Sequence, residues 1–166
     1  MKILVTGGAG YIGSHTCVEL LVAGHDVCIV DDLSNSRIEV IDRIKRLSNK
    51  DLIFNELDIR NCNRLEKILY DFKPDAVIHF AGLKAVTESV VDPIRYYDVN
   101  VSGTISLLKA MNSINCINLV FSSSATVYGN PDYLPYDEKH NTSPVNPYGR
   151  TKLMVEKILN DWSYLD

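Results

Sequence analysis

Tyr148 and Lys152 stand four residues apart in Tyr148-Gly149-Arg150-Thr151-Lys152, the spacing that puts two side chains on one face of a helix. An ammonium beside a phenol favours the phenolate and tunes it for proton transfer. The plainer alternative is a surface Tyr-Lys pair at a helix start. Upstream, Ser122-Ser123-Ser124-Ala125-Thr126-Val127-Tyr128-Gly129 clusters hydroxyls behind an apolar run. Most of these are expected to bond their own backbone, with Ser124 left to meet a substrate oxygen. A third segment suits phosphate binding. Thr6-Gly7-Gly8-Ala9-Gly10-Tyr11-Ile12-Gly13 follows Ile3-Leu4-Val5 and satisfies G-x-G-x-x-G through Gly8, Gly10 and Gly13, and G-x-x-G-x-x-G through Gly7, Gly10 and Gly13. Between a strand and a helix, such a turn aims backbone N–H groups and the helix dipole at a pyrophosphate. Without a ligand it is a tight strand-to-helix turn and nothing more.

Asp31-Asp32 comes about twenty residues after the glycines, where a carboxylate accepts hydrogen bonds from an adenosine ribose. That placement favours NAD over NADP, with Arg37 as the nearby opposing charge, and one of the two aspartates can instead cap a helix. Asp58-Ile59 follows another apolar run and is placed to meet an adenine edge. His79-Phe80-Ala81-Gly82-Leu83-Lys84 ends a further run with small residues that let a cofactor pass close to the backbone. Lys84 lies in reach of a ribose or phosphate oxygen. His79 reads as a hydrogen-bonded interior residue, and no role is assigned to His15, His25 or His140.

These groups need a scaffold, and the apolar pattern supplies one. Ile3-Leu4-Val5, Val27-Cys28-Ile29-Val30, Leu52-Ile53-Phe54, Ala76-Val77-Ile78 and Leu119-Val120-Phe121 read as five strands. Their nearly continuous apolar character is that of a parallel sheet covered on both faces. Leu65, Ile68, Leu69 and Phe72 repeat at helical intervals, as do Val155, Ile158, Leu159 and Trp162. A helix from about Ile12 stops at Ala23-Gly24, and Asp92-Pro93 opens another with Asp as cap. Gly129 to Pro147 reads as one long loop. The fold expected is a doubly wound α/β sheet with ligand outside the carboxyl ends of its strands.

Composition agrees with one soluble domain: 166 residues, 46% hydrophobic and 23% charged. Seventeen Lys and Arg against twenty-one Asp and Glu give a net charge of −4 without a basic block, which argues against nucleic acid as partner. No apolar run is long enough to span a bilayer and no signal-peptide pattern follows Met1, so a cytoplasmic protein with no membrane association is expected. Cys17, Cys28, Cys62 and Cys116 are far apart, which predicts small buried hydrophobes, no metal and no disulfide framework.

Taken together, the glycine segment and Tyr148-Gly149-Arg150-Thr151-Lys152 resemble those of the extended short-chain dehydrogenase/reductases. His79 to Val86, Phe121 to Gly129 and Lys152 to Glu156 are similar to the nucleotide-sugar 4-epimerase branch, and the resemblance covers essentially the whole chain. It implies a Rossmann fold, bound NAD, and a homodimer packed through the helices near Pro93 and Tyr148. The implied reaction interconverts UDP-glucose and UDP-galactose by transient oxidation at C4, a step of galactose metabolism. Tyr148, Lys152 and Ser124 would be catalytic, and Lys84, Ser124 and Tyr148 would meet the substrate. The cofactor would be held by Gly7, Gly10, Tyr11, Ile12, Gly13, Asp31, Asp32, Leu33, Ser34, Asn35, Ser36, Asp58, Ile59, Phe80, Ala81, Gly82, Lys84, Asn100, Tyr148 and Lys152.

The 4,6-dehydratases of the same family carry an Asp-Glu pair after the active-site hydroxyl, and Ala125-Thr126-Val127 offers no such acid. Family members also continue past the Tyr-x-x-x-Lys helix. The resemblance therefore implies that residues 1–166 are an incomplete NAD-binding Rossmann domain without the substrate-binding lobe, and little activity is expected of the chain alone. Two other readings stand beside this one: a non-catalytic NAD-binding fragment, and another NAD-dependent sugar-nucleotide epimerase or dehydratase.

Overall fold

Ile3 and Val5 lie in register with Val27 and Ile29, and Leu4, Cys28 and Val30 occupy the alternate positions; none of the seven is more than 6% exposed. Side chains alternate across a strand, so burial at successive positions requires cover on both faces. A computed structural model describes residues 1–163. Its strands are β1 (Lys2–Thr6), β2 (Asp26–Asp31), β3 (Ile53–Glu56), β4 (Ala76–His79) and β5 (Leu119–Phe121). All pair in parallel, in the order β3-β2-β1-β4-β5. The five apolar runs are thus all strands of one sheet, as expected.

Helices α1 (Tyr11–Val22) and α2 (Glu39–Ser48) close one face, where Cys17, Leu21, Ile41 and Ile44 pack with Ile3, Val5, Val27 and Ile29. Helices α3 (Cys62–Phe72) and α6 (Gly103–Ser113) bury Leu65, Leu69, Leu107 and Met111. Cys62 Sγ lies 3.7 Å from the Ser106 carbonyl, tying these two together. Continuous burial fails at the edges, where Ile53 of β3 is 52% and Val120 of β5 is 61% exposed. An edge strand has a neighbour on one side only. Cys62 also departs from expectation: it is half-buried, whereas the other three cysteines are buried.

Local signals set the helix ends. Gly24, at φ +85°, follows α1 and lets the Gly24 and His25 N–H groups return to Leu21 and Leu20 carbonyls. Asn61 caps α3 by accepting from the Arg64 N–H.

The strands and these helices, apart from the first residues of α6, belong to one compact unit formed by Met1–Ala81 and Ile105–Ser122. A second unit comprises Gly82–Thr104 and the stretch from Ser123. It holds α4 (Val86–Val91), α5 (Pro93–Tyr97), a π-helical turn over Asp98–Ser102 and α7 (Pro147–Trp162). Asp92 caps α5 through the Arg95 N–H with Pro93 at the first position, as read. The long segment before α7 contains no helix or strand beyond a 3₁₀ turn at Ala125–Val127. Asn146 ends it by accepting from the Gly149 N–H at 2.8 Å. Of the apolar line on α7, Val155 is fully buried while Ile158, Leu159 and Trp162 are half-buried.

Candidate functional site

In the sheet-bearing unit the glycine turn is built by close approach. Gly7 has φ +68°, and a Cβ there would fall 2.5 Å from Ala81 N; one on Gly13 would fall 2.3 Å from the Gly7 carbonyl oxygen. Only glycine fits either place. Helix α1 then begins with no side-chain cap and no acidic residue in its first turn. Its first N–H groups therefore keep their positive polarity for an anion. Tyr11 and Ile12 beside them are 77% and 57% exposed, apolar surface at the mouth of the turn. These features fit a dinucleotide pyrophosphate.

Asp31 does more than its position suggested. It is buried; Oδ2 accepts from the Ala9 N–H at 2.9 Å, and Oδ1 accepts from the Leu33 N–H at 3.0 Å and the Ser36 hydroxyl at 2.8 Å. The carboxylate thus pins the glycine turn to the loop carrying Asp32, Leu33, Ser34, Asn35 and Ser36. Asp32 accepts from Ser34 N–H and hydroxyl, so neither aspartate caps a helix. Asp58 accepts from the Arg60 N–H and guanidinium. The Arg60 side-chain hydrogen bond, the largest influence on it, holds its carboxyl below the usual range. Ile59 is buried, and the Phe80 and Ala81 N–H groups donate to the Thr6 carbonyl. His79 Nδ1 sits 2.6 Å from Thr6 Oγ1 at 1% exposure, the interior role expected of it.

In the second unit Tyr148 and Lys152 are both buried, at 8% and 6% exposure, with Lys152 Nζ 6.0 Å from the Tyr148 ring centre. The surface-pair alternative is excluded. Burial pushes the Lys152 ammonium down to about 8. The Tyr96 ring meets Tyr148 edge-on, centroids 6.4 Å apart and planes at 82°. Tyr96 is itself fully buried, its hydroxyl 2.7 Å from Glu88 Oε2 and 2.8 Å from the Ala85 carbonyl, and it accepts from the Ala85 N–H. Sequence reasoning missed Tyr96, whose only signal is its helical position after Pro93.

Ser124 corrects an expectation. Its Oγ accepts from the Thr126 N–H at 3.2 Å and lies 2.9 Å from Thr126 Oγ1, capping the 3₁₀ turn. The hydroxyl bonds locally after all, and as an acceptor it keeps its own proton for donation. The turn is seated by Gly149, where a Cβ would fall 2.7 Å from the Thr126 carbonyl oxygen. Ser123 donates to Glu156 of α7. Asn100, expected from the resemblance to touch cofactor, has both amide ends engaged within the protein. Oδ1 accepts from the Leu83 N–H at 2.8 Å, and Nδ2 donates to the Leu83 carbonyl and to Thr151 Oγ1, each at 3.0 Å. It holds the Gly82-Leu83 segment to α7. Lys84 is exposed beyond it. Among the described residues no group of three or more His, Cys, Asp or Glu is placed to hold a metal.

The family model for GDP-mannose 4,6 dehydratase matches residues 4–165. UDP-glucose 4-epimerase of Bacillus subtilis is 52% identical over 161 residues, covering 97% of this chain and 48% of the relative. UDP-glucose 4-epimerase of Stenotrophomonas maltophila, solved with NAD and formylated UDP-arabinopyranose, aligns at TM-score 0.95 and 52% identity over 98% of this chain and 48% of its own. The Bifidobacterium longum UDP-glucose 4-epimerase complexed with NAD+ and UDP aligns at TM-score 0.98 and 46% identity, over all of this chain and 50% of its own. The chain spans about half the length of the relatives it matches.

Proposed function

This chain belongs to the GDP-mannose 4,6 dehydratase family, and from that premise we propose that it forms the NAD-binding and proton-transferring part of a UDP-glucose 4-epimerase. The observation that carries the reading is the Tyr148–Lys152 pair buried together on α7, in a chain 52% identical to an epimerase over 97% of its length. Epimerisation is favoured over 4,6-dehydration because Ala125-Thr126-Val127 supplies no acid after Ser124. Removing water across C5 and C6 requires an acid and a base that inversion at C4 does not.

Gly7, Gly10 and Gly13 leave the start of α1 open to the pyrophosphate, with Tyr11 and Ile12 beside it. Asp31 and the loop through Ser36 take the adenosine ribose, and Asp58-Ile59 the adenine edge. The same reading assigns Phe80, Ala81, Gly82 and Lys84 to the cofactor, and Lys152 to the nicotinamide ribose. NAD, when bound, supplies a reversible two-electron oxidant for sugar C4. Tyr148 takes the proton of the sugar 4-hydroxyl and returns it after the sugar has presented its other face. Ser124 donates a hydrogen bond to that oxygen, and Lys152 favours the Tyr148 phenolate. Asn100 and Tyr96 hold this arrangement in place. Residues 1–166 are read as one Rossmann domain on this account.

A native mass spectrum of the purified chain tests the premise. One NAD bound per chain, either carried through purification or taken up on addition, is the expected result. A chain that stays empty with added NAD overturns the cofactor role and with it the reaction.

The same reading includes a homodimer. Val91 and Ile94, at the junction of α4 and α5, are 86% and 77% exposed, and Met154 of α7 is 42% exposed. A second copy covering this apolar surface explains it. Ile94→Lys is expected to convert the dimer to a monomer in light scattering after gel filtration, with NAD binding kept. A parent chain that is monomeric at every concentration counts against it. A cytoplasmic role in galactose metabolism goes with this reading: all four cysteines are free, as suits a reducing compartment. No helix among the described residues is long and apolar enough to cross a membrane.

A further inference from the structure

Tyr148, Lys152 and Glu156 stand at i, i+4 and i+8 of α7, so the third continues the face that carries the other two. No part in the proposed reaction falls to Glu156. It is half-buried; its carboxylate accepts from the Ser123 hydroxyl and has no other partner among the described residues. With no cation beside it, the carboxylate makes one charge-assisted hydrogen bond, a bond of the strong kind.

That bond reaches the residue next to Ser124. It ties the start of the turn over Ala125–Val127, which Ser124 caps, to the middle of α7, across thirty-three residues of chain. The turn meets α7 a second time at Gly149, where a Cβ would fall 2.7 Å from the Thr126 carbonyl oxygen. Within the turn, the Thr126 N–H donates to Ser124 Oγ and the Val127 N–H to the Ser124 carbonyl. Ser124 therefore lies between two anchors, both on the helix that carries Tyr148 and Lys152. Without the Ser123 anchor the turn is held to α7 at Gly149 alone. A displacement of about 1 Å in a group that meets the reacting atoms costs up to about a hundredfold in rate.

We propose that Glu156 is a positioning residue for Ser124: through Ser123 it sets where the Ser124 hydroxyl stands relative to Tyr148. The effect on the turn is independent of the epimerase reading, and the effect on rate rests on that reading.

Amide hydrogen exchange, followed by NMR on the full chain, reads the effect on the turn. In Glu156→Ala the Thr126 and Val127 amides are expected to exchange at least about fivefold faster than in the parent, while those of β1 and β2 keep their rates. Glu156→Gln, whose amide oxygen accepts the same bond, should bring them back to within about twofold of the parent. Unchanged exchange at Thr126 and Val127 in Glu156→Ala, or an equal rise throughout α7, overturns the positioning role.

The effect on rate is read in this chain joined to the remaining half of the Bacillus subtilis relative. Glu156→Ala is expected to lower kcat about tenfold with KM and NAD content as in the parent, and Glu156→Gln to recover most of the loss. Once Ser124→Ala is present, Glu156→Ala should cost nothing further, because the two act through one hydroxyl. Losses that multiply in the double variant overturn the proposal, since Glu156 would then act without Ser124. A parent that holds NAD but does not epimerise removes the epimerase reading instead, and the exchange result still decides whether Glu156 holds the turn.

Discussion

Tyr148→Phe is expected to slow epimerisation by roughly a thousandfold, within the ~10²–10⁴ range of positioned acid–base groups. Because the chain spans 48% of its Bacillus subtilis relative, the assay uses this chain joined to the remaining half of that protein. Phe keeps the ring, and with it the edge-on contact to Tyr96, so NAD binding and thermal stability should match the parent. This separation makes the test specific: a structural role for Tyr148 would survive the loss of its hydroxyl. A variant within tenfold of the parent rate would mean that the sugar proton leaves through another group, and the proposed role of Tyr148 would be lost.

Lys152→Met is expected to do two opposite things, raising stability while abolishing epimerisation. Burial lowers the Lys152 ammonium from the ordinary 10.5 to about 8. Between those values the native state holds fewer protons than the unfolded chain, so stability climbs as pH rises through that window. At pH 7 the residue is charged in both states and its full cost is present, roughly 3 kcal/mol. Part of this is offset by the interactions that Lys152 makes. Met fills much of the same volume without a charge, so the variant should be about 1–3 kcal/mol more stable in urea unfolding at pH 7. The gap should narrow as pH rises above 8. A variant less stable than the parent at pH 7 would show that the interactions of Lys152 outweigh its desolvation. A lysine held at such a cost marks a functional-site candidate, in keeping with the role proposed for Lys152.

The fold was largely legible because its signals are local. Five apolar runs are the five strands, and Gly24, Asn61, Asp92 and Asn146 each mark a helix end through bonds to residues a few positions away. What escaped were α2, α4, α6, the 3₁₀ turn at Ala125–Val127 and the π-helical turn at Asp98–Ser102. Helix α6 carries Ile105 on its exposed face and Thr104 inside, which blurs its apolar period. The π-helical turn leaves no local signature, because what holds Asn100 there is a pairing with Leu83 and Thr151, seventeen and fifty-one residues distant.

The candidate site divides in the same way. Residue type and spacing alone determined the glycine turn, the aspartates closing β2 and the shared face of Tyr148 and Lys152, since each depends on backbone geometry within one or two turns of chain. Tertiary structure decided which of these side chains are free to act. It satisfied both ends of the Asn100 amide through Leu83 and Thr151, set Tyr96 against Tyr148 and buried the Lys152 ammonium. The physical reason is that hydrogen-bond saturation and desolvation belong to the neighbours a side chain meets in space, and those neighbours come from segments far away in the chain.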